Sequence, residues 1–217
     1  MRRILFLGAI LLSYGTMAQN TAVEQDCVAK EISRPAVKPA IDNNSNRATP
    51  FWEEDFAGGF PATWTVNDSS GICPWVYSTD GSWGNFSTGG TTAAAAGISS
   101  TTGANGFLIC DADSANHFTY GQPSGSNYQY LSSYFTTDAI DCSTHSSVIL
   151  NFQQSFRYNN GIPLIVEVSN DGTTWATYDV SGGQANNAAS PDPQSISLNV
   201  SATAANETTV YLRFGWS

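Results

Sequence analysis

Val148-Ile-Leu-Asn-Phe-Gln-Gln-Ser-Phe-Arg-Tyr158, then Asn159-Asn160-Gly161, then Ile162-Pro-Leu-Ile-Val-Glu-Val168, says more about the architecture than any other segment. Val148, Leu150, Phe152, Phe156 and Tyr158 share one parity, while Asn151, Gln153, Ser155 and Arg157 share the other. Side chains alternate across a strand, so this spacing predicts one core face and one polar face. Asn159-Asn160-Gly161 has turn chemistry, and Ile162, Leu164, Val166 and Val168 line the inner side of a returning strand, with Glu167 outside. The pair reads as an antiparallel hairpin.

The same rhythm extends in both directions. Asn170-Asp171-Gly172 predicts a second turn leading to a strand over residues 175–180. Ile196, Leu198 and Val200 mark another alternating strand, and Val210, Leu212, Phe214 and Trp216 alternate with Tyr211, Arg213 and Gly215. The chain ends at Ser217 in strand rhythm, which reads as a truncation. No amphipathic segment of helix length is found, and the glycine- and serine-rich residues 82–106 read as a long surface excursion with at most one short strand. The expected fold class is all-β: an antiparallel two-sheet sandwich.

Residues 1–18 have a basic start (Arg2, Arg3), an apolar run too short to span a bilayer, and a small-residue end at Ala18, the layout of a secretory signal peptide. Residues 19–50 lack periodicity and read as a flexible leader, leaving one domain over residues 51–217. The expected location is therefore outside the cell or on its surface. A net charge of −10, with only Arg157 and Arg213 basic beyond residue 50, excludes nucleic acid as a partner, and no later segment is apolar enough for membrane insertion. An oxidising destination predicts a disulfide. Cys27 lies in the leader, so one bridge is expected among Cys73, Cys110 and Cys142, in a pairing left open, adding about 3 kcal/mol.

Phe51-Trp-Glu-Glu-Asp-Phe56 places three acids in an aromatic context at the start of this domain. As a strand it would put Glu53 and Asp55 on one face and Glu54 on the other, and the scarcity of basic residues makes a bound metal ion the natural counter-charge. Asp111 and Asp113 alternate after an apolar run and are secondary candidates for the same ion, against the simpler reading that they cap a turn. Arg157, Arg213, Glu167, Gln153, Asn151 and Tyr211 fall on outward parity. They predict a polar sheet face able to hydrogen-bond sugar hydroxyls or a carboxylate, with cross-strand pairing of arginine and Glu167 as the plainer alternative. Most tryptophans read as core, whereas Trp83, in a glycine-rich loop, is a candidate sugar-stacking or loop-plugging ring.

The order of motifs resembles secreted bacterial jelly-roll modules of the gingipain adhesin ("cleaved adhesin") group and, more distantly, MAM domains. The residues that carry the resemblance are Glu54-Asp-Phe-Ala-Gly-Gly-Phe-Pro-Ala-Thr-Trp64, Asp138-Ala-Ile-Asp-Cys-Ser143, residues 148–158, Val166-Glu-Val-Ser-Asn-Asp-Gly-Thr-Thr-Trp175 and Val210-Tyr-Leu-Arg-Phe-Gly-Trp216. The resemblance implies a noncatalytic extracellular module of a larger protein exported by the type nine route. Its partners would be glycan or protein ligands and other domains of the parent chain. It also implies calcium held by Glu54 and Asp55 with acids of a last strand that this chain does not contain. Two alternatives stand beside it: an accessory domain of a secreted peptidase, and a glycanase-type hydrolase, for which paired acids on one concave face are not evident.

Overall fold

The computed structural model of the chain describes residues 49–84, 93–117, 131–158 and 162–216. The segment read as a signal peptide, the expected leader up to residue 48 with its Cys27, and the expected turn at Asn159-Asn160-Gly161 lie outside the described residues.

Nine strands and two short helices are found among the described residues, in the order β1 (Thr65–Asp68), β2 (Val76–Ser78), β3 (Phe107–Ile109), α1 (Ala112–His117), β4 (Ser133–Thr136), β5 (Ile149–Gln154), β6 (Leu164–Ser169), β7 (Ala176–Asp179), β8 (Gln194–Asn199), α2 (Ser201–Ala204) and β9 (Tyr211–Trp216). A single 3-10 turn at Gly103–Asn105 precedes β3. The main sheet has the order β1-β4-β9-β6-β7, and β2-β3 and β5-β8 form two-stranded sheets. Every one of these pairings is antiparallel. The fold is an all-β sandwich, as the alternation predicts.

The core lies between the main sheet and the β5-β8 pair. Val166, Val168, Val210 and Leu212 from one side join Val148, Leu150 and Val200 from the other in a single buried cluster, with Phe152, Ile196, Leu198 and Phe214 packed against it. Each such side chain taken fully out of water contributes about 1.5–3 kcal/mol.

The expected hairpin between residues 148–158 and 162–168 does not form. β5 pairs with β8, from Ile149 opposite Asn199 to Gln154 opposite Gln194, whereas β6 lies between β7 and β9. The parity is right and the partner wrong. Apolar parity requires only that Leu150 and Val166 face the core, and facing each other across a sandwich satisfies it as well as adjacency in one sheet.

Gly215 is fixed by its place in the sheet. It stands opposite Tyr134 on β4 and Ile165 on β6, and a Cβ there would overlap the Ser133 carbonyl and Tyr134. The described part of the surface excursion is held down at several points. Gln153 Oε1 accepts from the Thr101 amide (2.7 Å) and hydroxyl (2.9 Å), and Asp192 accepts from the Ser99 amide at 3.1 Å.

Candidate functional site

Residues 51–56 are not a strand. Glu54 Oε1 accepts from the Phe56 amide at 2.6 Å, Asp55 Oδ1 accepts from the Ala57 amide at 3.0 Å, and Phe56 takes a positive φ of 60°. Short-range carboxylate bonds compete with a sheet ladder, and Gly58 and Gly59 favour the resulting turn. The aromatics seat the segment instead: Trp64 lies 6.3 Å from Trp52, 6.1 Å from Phe56 and 5.6 Å from Phe135 of β4. Glu53, Glu54 and Asp55 stay exposed, so they need no buried counter-charge.

Asp111 and Asp113 do not join them. Asp111 Oδ1 accepts from the Ser114 amide (3.0 Å) and the Ser82 hydroxyl (2.7 Å), and Oδ2 accepts from the Trp83 amide (2.6 Å). Asp111 therefore caps α1 and ties the Trp83 loop to it, while the Trp83 indole stays exposed. The Asp113 carboxylate packs against Gly84. Among the described residues no group of three or more His, Cys, Asp or Glu side chains is placed to hold a metal ion. Calcium takes six to eight oxygens, so an ion at Glu54 and Asp55 would need further ligands beyond these two, whose local amide bonds already engage one oxygen of each.

The outward polar residues divide between sheets. Asn151, Gln153 and Arg157 belong to the β5 side, whereas Glu167, Tyr211 and Arg213 belong to the main sheet. On the main sheet a cross-strand ladder runs Thr136, Arg213, Glu167, Thr177, each opposite the next in register. Arg213 Nη1 donates to Glu167 Oε2 at 3.1 Å, and Thr177 donates to Glu167 Oε1 at 3.1 Å. The guanidinium lies 4.2 Å from the Tyr134 ring centroid and 3.8 Å from that of Trp175. Trp175 is thus a half-buried stacking partner rather than core.

The structure brings two cysteines together. Cys73 Sγ and Cys110 Sγ are 2.6 Å apart, and Cys110 Sγ also donates to the Cys73 carbonyl at 2.8 Å. Burial, then the neighbouring Cys73, pushes the Cys110 thiol far above its ordinary value. Cys142 sits apart in the main core, where burial and then the Asp141 charge push its thiol up.

Sequence reasoning missed an apolar strip beside the sheet edge. Val66, Ile72, Val76 and Tyr77 are all exposed, at 37–46 %. They border two shallow open cavities of ≈ 230 Å³ each that share Val76, the second also lined by Phe60 and Trp75. The signal available was Val76-Tyr77 adjoining Trp75 in a strand too short to bury both faces.

Fold and surface together define an antiparallel β-sandwich with an acidic composition and an exposed apolar strip. No protein-family description matches the chain, and no curated protein matches it. Among solved structures it is similar to the K1 cleaved adhesin domain of Lys-gingipain from Porphyromonas gingivalis, at 14 % identity and a TM-score of 0.40, over 76 % of this chain and 86 % of that one.

Proposed function

We propose that this chain is a noncatalytic extracellular binding module whose ligand is a neutral or basic protein surface docking on the strip of Val66, Ile72, Val76 and Tyr77. The observation that carries the reading is the strip itself: neighbouring exposed apolar side chains around shallow cavities suit a surface partner better than a small enclosed substrate. Charge supplies the partner's character, because residues 51–217 hold fourteen carboxylates against two arginines. Export rests on the signal-peptide reading of residues 1–18.

Pull-down of extracellular proteins with the full chain, compared with Val76→Asp and Tyr77→Ala variants, tests it. Binding that both variants lose supports the strip; binding that both retain sinks it. A glycan array run alongside identifies a sugar ligand, which would replace the protein reading. Calcium at Glu54 and Asp55 is a separate proposal, drawn from the motif resemblance. A calcium-stabilised module melts higher with calcium than with chelator, and Glu54→Gln with Asp55→Asn removes that difference. Equal melting in both conditions ends the calcium proposal.

A further inference from the structure

We propose that Cys73 and Cys110 form a disulfide in the exported protein, clasping the start of β2 to the end of β3. The geometry carries it: the sulfurs lie 2.6 Å apart, Cys73 three residues before β2 and Cys110 directly after β3. Cys73 belongs to the cavity wall with Ile72, Pro74 and Asp111 but is itself buried, and Cys110 is half-buried. The structure holds Cys73, Cys110 and Cys142 as free thiols, and Cys142 lies in a different part of the core, so the pairing proposed is Cys73 with Cys110, whose sulfurs touch.

The oxidant is the disulfide of a thiol oxidoreductase or of glutathione. One cysteine thiolate attacks it, forming a mixed disulfide and releasing one thiol. The second cysteine then attacks the protein-bound sulfur, forming the Cys73–Cys110 bond and releasing the other thiol. Two electrons pass to the oxidant, and the two thiol protons end on its products. The proposal rests on export but not on the binding strip, so failure of ligand binding leaves it standing.

The test is a disulfide map of the full chain recovered from an oxidising compartment, with free thiols blocked before digestion. Trypsin is unsuitable, because no Lys or Arg separates Cys73, Cys110 and Cys142. Pepsin cuts between them and works at a pH that halts exchange. The expected product is a linked peptide pair containing Cys73 and Cys110 that disappears on reduction, with Cys142 outside that link. Reductant should lower Tm by about 10 °C, in the Cys142→Ser variant as well. Refolding the reduced chain in glutathione buffer tests the pair without export. Blocked Cys73 and Cys110 in both preparations, or either one linked to Cys27 or Cys142, overturns the assignment; melting of the linked protein that ignores reductant overturns the clasp.

Discussion

Arg213 lies between the Tyr134 and Trp175 rings and is paired to Glu167, with its side chain only 20 % exposed. Its stem and plane therefore pack as well as carry charge. Arg213→Ala should cost about 1–2 kcal/mol, most of it from lost stacking. A double-mutant cycle with Glu167→Gln should return a coupling below about 1 kcal/mol, measured by denaturant unfolding. A larger coupling would mean that the ion pair, not the stack, holds the residue. Gly215 makes the opposite case, where the missing side chain matters. Gly215→Ala should destabilise by about 3 kcal/mol, because main chain of β4 must move to admit a methyl group.

Among the elements, the strands are legible in the sequence, and so is the Asn170-Asp171-Gly172 turn that joins β6 to its antiparallel neighbour β7, but the partner of β5 is not. Val166, Val168, Val210 and Leu212 announce buried positions by alternation, and all four are buried. Nothing in that pattern distinguishes a neighbour in one sheet from a strand across the core, so alternation alone pairs β5 with β6. The acid-rich segment misleads for another reason: aromatic content suggests a strand, whereas Glu54 and Asp55 bond to nearby amides and bend the chain. Arg213 with Glu167 is legible as a pair, since outward parity places both on one face. The strip around Trp75 and Tyr77 is not, because exposure of an apolar residue depends on what the rest of the chain leaves uncovered. Asp111→Ala should cost about 1–2 kcal/mol through loss of the α1 cap and should speed hydrogen exchange at the Trp83 amide, which loses its acceptor. Unchanged exchange there would refute the tie between loop and helix.

Taken as one body, the protein should be acid-sensitive in a definite direction. Asp171 is held well below its ordinary value by the Thr174 and Thr173 amides, and Asp141 by the Ser143 hydroxyl and amide. At Asp68 slight burial works against the charge, but donors from Ser70, Cys73 and Gly71 outweigh it and the pKa is lowered. A lowered folded-state pKa contributes stability above the unfolded value near 3.8 that is lost as pH falls through the folded value. Tm should therefore be steady above about pH 5 and fall progressively below about pH 4. A flat profile into stronger acid would mean that these turns do not hold the fold together.

β9 is the latest of the five main-sheet strands in sequence, yet it occupies the middle of the sheet, between β4 and β6. Until it arrives during synthesis, β1-β4 and β6-β7 are separate ribbons with no shared ladder. Two-stranded ribbons are marginal in water. The emerging chain thus stays unlocked until its final described strand is made, so the main sheet closes only once synthesis has reached Trp216.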